Sequence, residues 1–147
     1  MNTMVQQDTV ELLKECNAGI KMGVASIDQV VEQVTDKKLA AILSDAKSDH
    51  EKLGRETLDQ LVRMGETGKE PNPMAKGMSW VKTGMKLMTE PTDAAAASLI
   101  VDGCDMGVKS LSRYLNQYEQ ADQGAKDIAR RLIRLEEDLE NSLKPYL

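Results

Sequence analysis

His50 is the only histidine of the 147-residue chain, and Cys16 and Cys104 are its only cysteines. Imidazole and thiolate are the side chains that most often ligate transition metals or carry proton-transfer and nucleophilic chemistry. His50 falls on an apolar helical seam, where it can act as a ligand or as a core histidine bonded to a neighbour such as Asn17 or Asp105. The cysteines lack Cys-x-x-Cys spacing and a second histidine to complete a zinc set, so they read as small core residues. Four of the nine methionines, Met74, Met78, Met85 and Met88, lie within fifteen residues. Soft thioethers can bind Cu(I), but this helical spacing reads as adaptable packing. Met74, Met78, Trp80 and Met88 are then an apolar flap over the bundle or a partner-binding surface. No nucleophile beside a base is evident, so no catalytic residue is expected.

The composition excludes several function classes. Nineteen Lys and Arg against 24 Asp and Glu give a net charge of −5, which argues against nucleic acid or an anionic membrane as the main partner. One Trp, three Tyr and no Phe leave no base-stacking platform. Lys126, Arg130 and Arg134 make a basic stripe, yet Asp127 and Asp138 lie within helical reach of it, so it reads as a solvated, charge-laced face. No apolar run approaches the ~18–20 residues of a membrane span. Residues 1–10 lack the basic and then apolar regions of a signal peptide. Two cysteines make no disulfide framework, so a reducing cytoplasm is the expected location.

The elements that must position these residues are helices. Val10, Leu13, Asn17, Ile20, Val24, Ile27, Val31 and Val34 follow a 3-4-3-4 spacing, the seam of a bundle helix. Asp8, with Glu11 three residues on, reads as the capping box that opens this helix. Asp36 reads as the N-cap of a second helix carrying Leu39, Leu43, Ala46, His50, Leu53, Thr57, Leu61 and Met64. Gly65 and Gly68, followed by Pro71 and Pro73, end it. Thr92 or Asp93 caps a third helix through Leu99, Val101, Cys104, Val108, Leu111, Leu115 and Tyr118. Gly124 breaks the chain, and a fourth helix through Ile128, Leu132, Leu135 and Leu139 halts before Pro145. Short connections make each consecutive pair an antiparallel hairpin. The expectation is one all-α domain over 1–147: hairpin one at about 8–65, a long crossover with a short helix at about 66–91, and hairpin two at about 92–144.

The hairpins also resemble each other. Cys16-Asn17-Ala18-Gly19-Ile20-Lys21 aligns with Cys104-Asp105-Met106-Gly107-Val108-Lys109 at an offset of 88, and Leu39–Leu43 with Ile128–Leu132 at 89. A shared Cys, Gly, aliphatic and Lys in one order points to a duplicated helical hairpin.

Both Cys-x-x-Gly motifs, the crossover and the closing hairpin resemble the bacterial ferritin-like four-helix-bundle proteins, in particular a rubrerythrin-like branch. The resemblance implies an antiparallel bundle with a long crossover. Di-iron members of the class take a Glu from each of two helices and a Glu-x-x-His from each of the other two. Carried onto this chain, the two single Glu positions are Ile20 and Val108. The paired motifs fall at Lys47-x-x-His50 and Glu136-x-x-Leu139. Of these six positions only His50 and Glu136 can bind a metal, too few for a dinuclear centre, so the resemblance implies a degenerate di-iron site with no metal and no cofactor.

The resemblance also sets Lys47 against Glu136, where an ion pair would place an ammonium in the space of the lost metals. Asn17, Lys47, His50, Asp105 and Glu136 then read as an internal polar network that fixes helix register. The resulting expectation is a metal-free structural or protein-interaction bundle without catalysis, with a homodimer or another protein as partner and neither nucleic acid nor membrane. The competing reading is a metal-binding protein or oxidoreductase that uses His50 and Glu136, with Asp105 nearby. A third is a small ligand in the space between Ile20 and Val108.

Overall fold

The computed structural model describes residues 3–70 and 92–147. Four α-helices account for most of them: α1 (Thr3–Val31), α2 (Lys37–Arg63), α3 (Asp93–Gln117) and α4 (Gln123–Leu143), followed by a 3₁₀ turn at Lys144–Tyr146. No strand occurs among the described residues. The short helix and methionine flap expected between residues 71 and 91 lie outside the described residues.

The helix ends follow local chemistry. The Asp36 carboxylate accepts the backbone N–H of Leu39, Thr92 Oγ1 that of Ala95, and Asp122 Oδ1 that of Ala125, each satisfying an otherwise orphaned first-turn donor. Gly65 closes α2 at φ +75, with its own N–H donated to Val62 and that of Glu66 donated to Leu61. Asp93, the other candidate cap of α3, instead accepts from the backbone N–H groups of Thr35 and Asp36 and from the Thr35 hydroxyl. It ties the start of α3 to the α1–α2 turn.

Three expected boundaries move, one of them the end of α1, which stops at Val31 so that Val34 of the seam lies in the turn before α2. α1 begins at Thr3, so Asp8 lies inside the helix rather than at its cap, and its carboxylate accepts from Gln120 N–H at 2.9 Å. Thr9 Oγ1 likewise accepts from Asp122 N–H, and docking on the α3–α4 turn supports the extra N-terminal turn of α1. Gly124 lies within the first turn of α4 and Asp122 caps that helix. The cap decides the break, because an aspartate that bonds its own N3 donor outweighs the modest helix cost of one glycine.

Contacts between ends define the topology. Thr9 meets Asp122 while Thr35 meets Asp93, so α1 and α3 are antiparallel. His50 meets Glu136 and Glu56 meets Arg131, so α2 and α4 are antiparallel as well. With α1–α2 and α3–α4 as hairpins, every adjacent pair is antiparallel, and the end of α2 and the start of α3 lie at opposite ends of the bundle. Residues 66–70 run beside α1: Glu66 pairs with Lys14, Lys69 with Glu15, and Glu70 with Lys21. Asn17, the one polar residue of the α1 seam, accepts the Lys69 backbone N–H at 2.9 Å.

The apolar core falls into two clusters. One holds Leu12, Leu13, Cys16, Ile20, Leu53, Leu61, Leu111, Ile128 and Leu132, and the other Ile27, Val30, Leu39, Leu43, Ile100, Cys104, Leu139 and Leu143. Both draw on all four helices, as burial of the seams requires. Between them, at the level of Gly23, His50, Gly107 and Glu136, the core is interrupted.

Candidate functional site

The interruption is a polar layer beside a cavity. His50 projects from α2 and is 1 % exposed, and Glu136 projects from α4 and is 9 % exposed. His50 Nε2 stands 2.5 Å from Glu136 Oε1, and Nδ1 stands 2.7 Å from the Ala46 carbonyl oxygen. The carbonyl can only accept, so Nδ1 carries a hydrogen and donates it. The short contact between Nε2 and a carboxyl oxygen needs a second proton between them, so beyond the Nδ1 hydrogen the pair shares one proton and is neutral as a unit. Burial opposes the charged imidazolium, but the hydrogen bond and charge of Glu136, with the Ala46 carbonyl, hold the His50 pKa above its ordinary value. The Cys104 thiol also bonds to Glu136.

Glycines make room for this pair. A methyl group on Gly23 of α1 would stand 3.2 Å from His50 Cδ2 and 3.4 Å from Nε2. On α3, a methyl group on Gly107 would stand 3.5 Å from Glu136 Oε2. The pair is thus enclosed by helix backbone on both sides.

The cavity, about 350 Å³, lies between α1 and α3 with His50 and α4 at its base. Small residues on the two facing helices, Ala18, Gly19 and Gly23 on α1 and Gly103, Gly107 and Ser110 on α3, leave it open. Ile27, Ile100, Leu111, Leu132 and Leu139 supply apolar walls, and Met22 and Met106 add thioethers. A second polar group stands in its lining: Glu15 of α1 pairs with the Lys69 ammonium and is hydrogen-bonded by the Tyr114 hydroxyl. Lys69 is held above its ordinary pKa chiefly by that bond to Glu15, and burial with the Glu15 charge raises Tyr114.

The residues singled out from sequence separate into distinct places. Lys47 does not reach Glu136. Its ammonium lies 2.6 Å from Asp28 Oδ1 on α1, where it stays partly hydrated, and the imidazole of His50 meets the Glu136 carboxylate instead. Asn17 anchors the chain after α2, and Asp105 is exposed beside Glu140, where the neighbouring carboxylate raises the Glu140 pKa. The five-residue network therefore reduces to His50 and Glu136, joined by Cys104. Neither Asn17 nor Asp105 is the partner of His50. Ile20 is buried, packed toward Gly54, Val108 is half-buried, and Leu139 lines the cavity.

These residues do not fit a dinuclear metal centre. Three of the six ligand positions are aliphatic, Lys47 turns outward, and the two remaining donors are bonded to each other. Among the described residues no three His, Cys, Asp or Glu side chains come together as a metal-binding group. Nucleophilic chemistry is disfavoured too. Burial, reinforced by Glu15, pushes the Cys16 thiol up to about 12, and burial with the Glu136 charge pushes Cys104 further. A thiol reagent at about pH 8 should attack both cysteines at least about a hundredfold more slowly in the native protein than in the urea-unfolded chain. Stopped-flow thiol titration measures this, and comparable rates would show that the thiols are accessible and ionisable.

Gly23, Glu15, Lys69 and Tyr114 were not read as site residues from sequence. One signal was present: glycines recur four residues apart at Gly19 and Gly23 and at Gly103 and Gly107. That spacing gives two small-residue faces which can line a common space. Comparison with family models, curated proteins and solved structures gives no match for this chain. Among the described residues no helix is long and apolar enough to cross a membrane.

Proposed function

We propose that this protein is a non-catalytic binding bundle of ferritin-like ancestry and cytoplasmic location, in which the waist that holds metals in di-iron proteins receives a small organic molecule instead. The observation that carries this reading is the cavity of about 350 Å³ at the break in the core. Its size falls in the range of about 300–1,000 Å³ typical of small-ligand sites, and its lining combines apolar walls with a few polar groups. The donor set supports binding over metal chemistry, because His50 and Glu136 satisfy each other and the other ligand positions carry no donor. Exposed Leu58, Val62 and Met64 along the end of α2 favour a homodimer as the second reading, through the outer face of hairpin one.

Native mass spectrometry of the freshly purified full chain, paired with elemental analysis after incubation with Fe(II), Mn(II) and Zn(II), tests the proposal. The expected result is a non-covalent organic adduct lost on unfolding, with less than about 0.1 metal per chain. Near-stoichiometric metal that disappears in His50→Ala would overturn it in favour of the metal-binding or oxidoreductase reading.

A further inference from the structure

We infer that the cavity selects an uncharged, predominantly apolar molecule and discriminates against both anions and cations of the same size. This rests on the binding reading above and specifies its ligand. Among the described residues, the charged side chains in the cavity lining are Glu15, His50, Lys69 and Glu136, and they are matched in two pairs: His50 of α2 with Glu136 of α4, and Lys69, in the chain after α2, with Glu15 of α1. His50 and Glu136 share one proton, so together they present no net charge whichever atom holds it. Lys69 and Glu15 cancel in the same way. Each carboxylate takes a further hydrogen bond from a neutral donor, Cys104 on Glu136 and Tyr114 on Glu15.

Among the described residues an ionic ligand would therefore meet no unmatched counter-charge. It would have to split one of these pairs or enter an apolar space uncompensated, and both routes carry the full cost of desolvating a charge. A neutral molecule faces neither cost. It gains burial against Ile100, Leu111 and Leu132, and the Met22 and Met106 thioethers can adapt to an aromatic ring. Ser110 adds a hydroxyl able to give or accept one hydrogen bond.

Three naphthalene probes of similar size separate charge from shape. N-phenylnaphthylamine is neutral, anilinonaphthalene sulfonate is the same skeleton with an anionic group, and naphthylethylenediamine is cationic. With the full chain at about pH 7, the neutral probe should bind one site per chain with a Kd at least about tenfold below that of either ion, and be insensitive to added salt. Ala18→Leu on α1 and Ser110→Met on α3 narrow the cavity from opposite sides. Each should weaken the neutral probe about tenfold while circular dichroism is unchanged. An ion that binds as tightly as the neutral probe overturns the selectivity and leaves the binding reading standing. So does a neutral probe unaffected by both folded variants, because its site then lies elsewhere. Failure of all three probes on the folded chain overturns the binding reading itself.

Discussion

Glu136→Ala should lower the stability of the protein by about 3–5 kcal/mol in urea unfolding at slightly acidic pH, the largest effect of any polar substitution in the bundle. Among the described residues the carboxylate is the only hydrogen-bond partner of His50 Nε2, while Nδ1 is committed to Ala46. Without it a buried imidazole must either lose its proton or stay charged among apolar side chains, and the Cys104 thiol loses its acceptor as well.

The loss depends on pH with a defined sign. The His50 pKa is raised above the ordinary histidine value, so the folded state binds this proton more tightly than the unfolded chain. The stabilisation from the shared proton is therefore complete below about pH 6.5 and is lost as pH rises through the folded-state value. Glu136→Gln sharpens the test, because its amide can donate to a neutral Nε2 and needs no extra proton. The gap between the natural protein and this variant should be widest on the acid side of neutrality and shrink as pH rises through the raised folded-state value. A gap that is constant, or that grows with pH, would show that the pair does not share a proton in the folded state.

Gly23→Ala should cost about 1–2 kcal/mol net, whereas Gly107→Ala should be neutral or mildly stabilising. In a helix interior alanine is better than glycine by about 0.5–1 kcal/mol, so both substitutions start with the same advantage. The surroundings separate them. The methyl group at Gly23 would stand 3.2 Å from His50 Cδ2, and two hydrogen bonds on opposite sides of that ring prevent it from turning away. Overpacking against a fixed group typically costs about 1–3 kcal/mol, more than the helix gain returns. At Gly107 the closest approach is 3.5 Å, ordinary van der Waals contact with Glu136 Oε2. Thermal unfolding of the two variants side by side decides this. Equal behaviour would mean that the His50 ring has freedom the geometry denies it, and that the two faces of the site are equivalent.

The different fates of His50 and Lys47 show how far sequence reasoning carries. Three residues apart on α2, they share a helix face in the sequence pattern, and the expectation set Lys47 against Glu136 and His50 beside Asn17 or Asp105 in the same network. Their side chains diverge because an ammonium keeps part of its hydration by running outward to Asp28. An imidazole is broad, loses less on burial and can be matched by one carboxylate and one carbonyl. Asn17 makes the same point. Its place on the α1 seam is evident from spacing, but its partner, the backbone of Lys69, is distant in sequence and belongs to no repeating pattern.

By itself the sequence determined the helices, because a 3-4 repeat of apolar residues and caps such as Asp36 are local properties, each satisfied within a few residues of chain. It also determined that Ile20, Val108 and Leu139 cannot ligate a metal, since side-chain chemistry requires no fold to be read. Only the tertiary structure decided that His50 pairs with Glu136 across α2 and α4 and that the facing small residues of α1 and α3 leave a cavity rather than a close helix contact. Those outcomes depend on distances between helices, which are set by how all four seams pack at once, and no single stretch of sequence contains that sum.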